Sequence, residues 1–197
     1  MEILRDRPNR QIWLAQTAYI KKIAKLANKK SLSHTVPITA EELMPQIDAA
    51  IEAEVQTYQQ KIGSLLFAAI STQPDITFAT SRLARFLTNP SQKHQDATNR
   101  VLLYLKRTKH LTLCFKDTKE LVVTSNASFA DNILDRKSFQ AFTIKLFGGL
   151  IRWRANKQDT VTTSTTEAEL LALAQAAKET LFVSRLLTEL SVDLDNK

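Results

Sequence analysis

Two stretches of the sequence hold the oxygen-bearing side chains best placed for chemistry. Ser164-Thr165-Thr166-Glu167 opens a long apolar run, and Asn126 and Ser128 lie in an upstream polar stretch. A serine followed three residues later by a glutamate predicts a capping box, in which Ser164 caps a helix and Glu167 reaches back to it. Carboxylates can also hold Mg²⁺, but phosphodiester hydrolysis by two metal ions needs several of them around ions about 3.5–4 Å apart.

Basic side chains form a second candidate site, suited to phosphates. Lys93, Arg100 and Arg107 are seven residues apart and therefore lie nearly in line on one side of a helix, with Lys106 and Lys109 close by. A further group combines cations with an aromatic ring: Arg152, Trp153, Arg154 and Lys157. Such groups can follow a phosphate backbone, and Trp153 either stacks on a base or packs beneath a helix. A solvated basic face is the alternative to phosphate binding.

Composition narrows the class of protein. The chain has 197 residues and a formal net charge of +7, which favours polyanionic partners. Residues 31–60 run against this trend, with five acidic and no basic side chains. The single cysteine excludes an internal disulfide and a cysteine-cluster zinc site. With a polar start and no apolar run near the ~20 residues of a membrane span, we expect an intracellular protein, cytoplasmic or nuclear, without a membrane partner.

Helical patterns dominate the first 110 residues. Runs at 2–4 and 11–14 flank a turn signal at 7–10 and predict a hairpin. A helix is expected over 17–28, a polar connection over 29–54, and helices from Tyr58 to Arg107, with Pro74 starting one and Ser91 capping the last. Because Gln59 to Ser71 is apolar on most sides, we expect that helix to be buried.

Strand patterns replace them after Lys109. Strands are predicted over 111–115, 121–125, 139–147 and 150–153, with Gly148-Gly149 marking a hairpin. A long helix then runs from Thr165 to Leu190. Three antiparallel strands followed by a helix make a compact unit, so the fold class is α+β.

The same segments resemble a known family in order and spacing. Thr124 to Asp131, Gly148 to Gln158 and Ser164 to Glu169 look like the N-terminal half of the ribonuclease H domain in the Pol polyprotein of copia-type LTR retrotransposons. Upstream, Glu2 to Ile23 and Tyr58 to Thr108 resemble the end of the reverse transcriptase palm, its thumb and the connection. The resemblance implies three parts: 1–57 (palm end, thumb start and polar linker), 58–110 (helical thumb and connection) and 111–197 (a truncated ribonuclease H-like unit).

The departures from the family concern its metal-binding residues. The family cuts RNA in RNA–DNA hybrids with Mg²⁺ or Mn²⁺ held by carboxylates. Its first aspartate position reads Asn126 here, and a frequent second aspartate reads Ser128; Glu167 matches the helix glutamate. The paired aspartates of the family's polymerase have no counterpart, and Asp193 and Asp195 do not match its later carboxylates. We therefore expect Asn126 and Glu167 to be vestigial, with no bound metal or other cofactor and no enzymatic activity.

The leading interpretation is a degenerate fragment of a retrotransposon reverse transcriptase and ribonuclease H polyprotein that retains sequence-nonspecific nucleic-acid binding, with RNA–DNA hybrid as a candidate partner. One alternative is an interaction or self-association module, because half a ribonuclease H domain leaves a sheet edge and a helix face for a second copy or a full-length element protein. Another is a metal-dependent hybrid ribonuclease whose missing ligands come from a partner chain.

Overall fold

The computed structural model describes residues 1–28, 34–192 and 194, and within them it combines helices with two three-stranded sheets. The chain divides into two compact units. The first comprises Met1–Ile3 and Leu14–Leu113, and the second comprises Leu4–Trp13 and Cys114–Lys197. Residues 29–33 of the predicted polar connection, and Asp193 and Asp195, lie outside the described residues.

The predicted N-terminal hairpin is confirmed. Strands β1 (Glu2–Asp6) and β2 (Gln11–Ala15) are neighbours in a sheet of order β1-β2-β3, where β3 is Leu113–Phe115. Asp6 holds the turn, because its carboxylate accepts hydrogen bonds from the backbone and side-chain nitrogens of Asn9 at 3.2 and 2.7 Å. The strand predicted over 111–115 is shorter than expected and belongs to this sheet.

Four helices follow the hairpin in the first unit: α1 (Thr17–Ile23), α2 (Glu52–Ser71), α3 (Thr77–Leu83) and α4 (Gln92–Thr108). Short 3₁₀ turns occupy Ala24–Leu26, Pro74–Ile76 and Ala84–Phe86. Helix α2 begins six residues before the predicted Tyr58, and Glu52 and Glu54 lie near the positive end of its dipole.

The core of the first unit is built mainly from α2, α3 and α4. Tyr58, Leu65, Leu83, Leu102 and Leu105 are fully buried in it. The Tyr58 hydroxyl donates to the Leu83 carbonyl oxygen at 2.8 Å, which fixes α3 against α2.

Buried Lys61 ties α2 to α4 through amide oxygens, because its Nζ donates to Asn99 at 3.0 Å and to Gln95 at 3.2 Å. The expectation that the helix from Gln59 to Ser71 is buried on most sides was wrong. Leu66, Phe67 and Ile70 are 48%, 49% and 64% exposed, since only one face of α2 meets the core.

The second unit contains the predicted arrangement of three antiparallel strands and a long helix. Strands β4 (Val122–Ser128), β5 (Phe139–Leu146) and β6 (Gly149–Lys157) lie in that order, and α5 spans Thr165–Glu189. Phe142, Ile144 and Leu146 of β5 form a core with Ala176, Val183 and Leu187 of α5. Helix α5 thus covers one face of this sheet.

The hairpin between β5 and β6 forms, but its turn lies one residue earlier than Gly148-Gly149 suggests. Phe147 and Gly148 take the turn positions with φ of 55° and 70°. Two successive residues with positive φ are typical of the type I′ turn that suits the twist of a hairpin. Gly149 already pairs with Leu146 at the end of the ladder.

Membrane insertion through a helix finds no support in the described residues. None of their helices has both the length and the apolar character needed to cross a bilayer.

Candidate nucleic-acid interface

Glu167 closes the first turn of α5. The Ser164 hydroxyl accepts a hydrogen bond from the Glu167 backbone N–H at 3.1 Å. The Glu167 carboxylate reaches back one residue further than the capping box predicts, to the backbone N–H and hydroxyl of Thr163 at 2.6 and 3.0 Å. These hydrogen bonds, led by that from the Thr163 N–H, lower the pKa of Glu167. Its carboxylate is therefore engaged in a structural role.

Asn126 lies on the sheet face that α5 does not cover. In the register of β4 and β5, Ser125 pairs with the core residue Phe142, and Asn126 pairs with Ala141. Because successive strand residues point to opposite faces, the exposed Asn126 side chain points away from α5. Asn126 thus faces one side of the sheet, and the helix that carries Glu167 packs on the other side.

The nearest acidic side chains along the chain are also committed to structure. Asp135, in the loop after β4, accepts hydrogen bonds from Lys157 and Asn132. The bond from Lys157 is the main reason why the pKa of Asp135 falls to about 2. Ser128 donates to Asp131 at 3.4 Å. Lys157, one of the predicted phosphate-binding residues, is thereby paired within its own unit.

The donor set at the family's metal positions does not fit a two-metal site. It offers a neutral amide at 126, a hydroxyl at 128 and a carboxylate at 167 that serves a helix cap. Mg²⁺ needs carboxylate charge, usually with near-octahedral oxygen geometry. Among residues 1–28, 34–192 and 194, no three His, Cys, Asp or Glu side chains are grouped so as to hold a metal ion.

The basic residues predicted to lie in line on α4, with Lys106 beside them, differ in the contacts that their side chains make. Lys93 pairs with Glu41 at 3.4 Å, and the Arg100 Nε donates to the Val36 carbonyl oxygen at 3.2 Å. Both partners belong to the connection between α1 and α2, where residues 31–60 have acidic and no basic side chains. Lys106 and Arg107, near the end of the same helix, are exposed. Lys93 and Arg100 are thus held against that connection, and Lys106 and Arg107 have exposed side chains.

The basic group on β6 is divided between the two faces of its sheet. Arg152 pairs with Ile144 and Arg154 with Phe142, so both lie on the side of α5. The Arg152 Nε lies 2.6 Å from the Glu179 carboxylate of α5, and Arg154 is exposed. Trp153, between the two arginines, faces away from α5 and is half-buried.

Three of the residues on that face were not singled out from the sequence. Thr143 lies opposite both Trp153 and Thr124, and the two threonine hydroxyls are 2.6 Å apart. Lys145 is exposed two residues further along β5. The only local signal for these three residues is that side chains of β4 and β5 alternate between the two faces of the sheet. That signal does not reveal which strands are neighbours.

Comparison with known proteins gives the chain its family. The retrovirus-related Pol polyprotein from transposon TNT 1-94 of Nicotiana tabacum is 31% identical over 200 residues, which cover 98% of this chain. The related polyprotein from transposon RE1 of Arabidopsis thaliana is 34% identical over 139 residues, or 70% of this chain. The chain belongs to the Pol polyprotein family of copia-type retrotransposons.

This chain corresponds to a small part of such Pol polyproteins, spanning 15% of the tobacco protein and 9% of the RE1 protein. A smaller relative is named secreted RxLR effector protein 161 of Plasmopara viticola. It is 35% identical over 129 residues, which make up 64% of this chain and 91% of that protein.

Two other comparisons give no match. No protein-family model and no solved structure matches the chain. The ribonuclease H-like assignment of the Pol segment 111–197 consequently stays a prediction.

Proposed function

We propose that this retrotransposon-derived chain binds nucleic acid without sequence specificity and does not cleave it. RNA–DNA hybrid is one of the polyanions it would bind, as the family resemblance suggests. The observation that carries the proposal is the contrast between two surfaces. The family's metal positions hold an amide and a capping carboxylate, whereas the exposed end of α4 holds Lys106 and Arg107.

Absence of cleavage follows from charge. Two-metal hydrolysis requires ligands that neutralise two divalent ions and clamp both the attacking and the leaving oxygen. Asn126 contributes no charge, and its side chain points away from α5, whose first turn contains Glu167. A live ribonuclease would have to take its carboxylates from a partner chain.

Binding follows from the accessible cations. Lys106 and Arg107 lie near the C-terminal end of α4, with Lys109 directly after it, and Arg154 is exposed on the second unit. Such side chains attract phosphates by releasing condensed counterions, which gives affinity without base readout. Lys93, Arg100, Arg152 and Lys157 are held by partners within their own units and would have to exchange them for phosphates.

A cleavage assay tests the first half of the proposal. We expect no hydrolysis of the RNA strand of an RNA–DNA hybrid with either Mg²⁺ or Mn²⁺, even at high protein concentration. The matched control is Glu167→Gln, which keeps an oxygen acceptor for the Thr163 cap and removes the carboxylate. Metal-dependent cleavage that disappears in Glu167→Gln would show that the site works.

A binding titration tests the second half. Lys106→Gln/Arg107→Gln should weaken binding to single strand, duplex and hybrid alike. The slope of log affinity against log salt should fall by about 0.7–0.9 for each lost phosphate contact. Lys178→Gln/Arg185→Gln, which removes the same charge from exposed positions on α5, is the matched control. Equal affinity and equal slope for the α4 variant and the parent would reduce this end of α4 to a solvated face.

Self-association is the second candidate function, and a specific observation favours it. Leu170, Leu173 and Leu181 of α5 are 59%, 54% and 57% exposed, on the side of the helix away from its sheet. An apolar stripe of this kind is typical of a surface that meets another protein. A second copy of the chain and a full-length element protein are both candidate partners.

A further inference from the structure

The sheet face turned away from α5 has a composition that the proposed phosphate binding does not use. Two rows cross it, Trp153–Thr143–Thr124 and Ala155–Ala141–Asn126. We call these six residues, together with Lys145, the open face. Asn126 and Thr124 are exposed, and the other four row residues are half-buried.

Trp153 is half-buried on a strand at the edge of its sheet. Strand β6 is at the edge of its sheet, so Trp153 has a strand neighbour on one side only. The adjacent row presents two methyl groups, from Ala155 and Ala141, and these rise little above the backbone. Ala155 lies two residues along the same strand from Trp153, about 6.5–7 Å away, so an aromatic ring seated on Trp153 can extend towards the alanines.

The charge of the open face suits a nucleic-acid strand. Lys145 is exposed beside the threonine row, and neither Asp nor Glu occurs at the strand positions that share this face. The Thr124 hydroxyl, which is hydrogen-bonded to that of Thr143, and the Asn126 amide lie two strands away on β4 and add polar groups to the same face. An aromatic ring, a nearby cation and neutral polar groups together form the combination that binds single strands through stacking.

We propose that the open face binds single-stranded nucleic acid by stacking an unpaired base on Trp153, with Lys145 beside the backbone phosphate. A duplex does not fit this role, because its bases are already stacked and paired. The inference rests on the proposed nucleic-acid binding but assigns it to a surface separate from α4. Duplex and hybrid would then use the α4 cations, and single strands would use the open face in addition.

Tryptophan fluorescence gives a direct readout. The chain has two tryptophans, so Trp13→Phe leaves Trp153 as the sole reporter. Adding oligo(dT) or oligo(U) to this variant should quench its fluorescence, while an abasic oligonucleotide of the same length should not. Quenching by the abasic strand equal to that by oligo(dT) would overturn base stacking.

Affinity measurements on the otherwise unchanged chain complete the test. Trp153→Leu should weaken binding to oligo(dT) by about 5- to 150-fold, the cost of losing one base–aromatic stack, and should leave hybrid affinity within about twofold. Trp153→Phe, which keeps a ring, should retain most of the affinity. Phe182→Leu is the matched control, because Phe182 is an exposed aromatic on α5. Folding of each variant is checked by circular dichroism.

The outcomes separate this inference from the function on which it rests. If Trp153→Leu binds oligo(dT) like the parent while Lys106→Gln/Arg107→Gln loses affinity, the open face is not the site and the proposed function stands. If Trp153→Leu loses affinity for oligo(dT) and for hybrid equally, the proposed stacking of an unpaired base is wrong. If the parent binds no nucleic acid at all, both proposals fail.

Discussion

His94 completes the cap at the start of α4 and is itself fully buried. Its Nδ1 accepts a hydrogen bond from the Ser91 backbone N–H at 2.9 Å, and the His94 backbone N–H donates to the Ser91 hydroxyl. The ring stacks on Phe86 with centroids 3.8 Å apart. The opposite nitrogen, Nε2, is buried as well. Burial lowers the pKa of His94, because a second proton would bring a poorly solvated charge, and an interaction with the Met44 backbone partly opposes this shift.

We predict that His94 makes the protein less stable in mild acid. Its pKa is lower in the folded than in the unfolded state, so the unfolded chain binds the proton first as the pH falls below the ordinary value of 6.5. The free energy of unfolding should fall across that window, by about 1.4 kcal/mol for each unit of pKa difference. Denaturant unfolding at pH 7.5 and pH 5 measures it.

His94→Gln is the informative variant. Glutamine at this position can still accept the Ser91 N–H, as in an ordinary capping box, but it does not titrate. We expect the loss of stability between pH 7.5 and pH 5 to be smaller in His94→Gln than in the parent. An unchanged loss would mean that other groups cause the acid sensitivity.

At the scale of secondary-structure elements, the start of β6 depends on close backbone approach. A Cβ atom at Gly149 would overlap the Cys114 carbonyl oxygen and lie 2.7 Å from the Phe115 ring. Backbone atoms cannot move aside cheaply there. Gly63 is the opposite case, because no atom lies within 4 Å of a Cβ built on it in the middle of α2.

These two glycines make a matched pair of alanine substitutions. Gly149→Ala should lower the free energy of unfolding by about 1–3 kcal/mol, as expected for overpacking. Gly63→Ala should raise it by about 0.4–1 kcal/mol, since alanine restricts the unfolded chain and favours helix. Urea denaturation measures both. A neutral Gly149→Ala would show that the edge of this sheet yields easily.

The connection between α1 and α2 sets how much of α4 faces solvent. Glu41 and Lys93 are 63% and 76% exposed in their side chains, so their ion pair adds little to stability, at most about 1 kcal/mol. Glu41 matters more for the binding of a polyanion, because it places a negative charge beside the basic residues of α4.

We therefore predict that Glu41→Gln tightens nucleic-acid binding about two- to fivefold at low salt, consistent with removal of one like charge near a phosphate. The free energy of unfolding should change by less than about 0.5 kcal/mol. Glu120→Gln, at an exposed position of the second unit, is the control. Equal gains in both variants would indicate an effect of net charge alone.

At the scale of the whole molecule, exposed apolar side chains set the solution behaviour. Both units expose such residues on a helix, Leu66, Phe67 and Ile70 on α2 and Leu170, Leu173 and Leu181 on α5. A net charge of +7 opposes nonspecific aggregation, so we expect association to be limited to these exposed apolar surfaces.

We predict that the chain forms dimers or larger species through α5 at micromolar concentration. Leu170→Gln/Leu173→Gln/Leu181→Gln should shift it to monomer without loss of folding, because these side chains leave the unit's own core intact. Sedimentation velocity over a wide concentration range measures this. The same triple change at Leu66, Phe67 and Ile70 is the comparison. A parent chain that stays monomeric throughout would contradict the prediction.

Local structure was readable from the sequence because it depends on residues close along the chain. The hairpin around 7–10, the cap at Ser91 and the start of α5 at Ser164 each involve partners three or four residues apart. The order of the motifs along the chain also indicated the family. The sequence itself places an amide at Asn126 and a hydroxyl at Ser128, where the family resemblance predicts aspartates.

Tertiary structure alone decided which side chains face a ligand. Lys93 is paired with a glutamate 52 residues away, and Arg100 with a carbonyl oxygen 64 residues away, so periodicity on α4 could not reveal these contacts. Trp153 faces away from α5 because of the register between β5 and β6, and a shift of one residue would reverse it. Local spacing determines which side chains share one face of a helix or strand. Only long-range pairing determines which of those side chains remain accessible to a ligand.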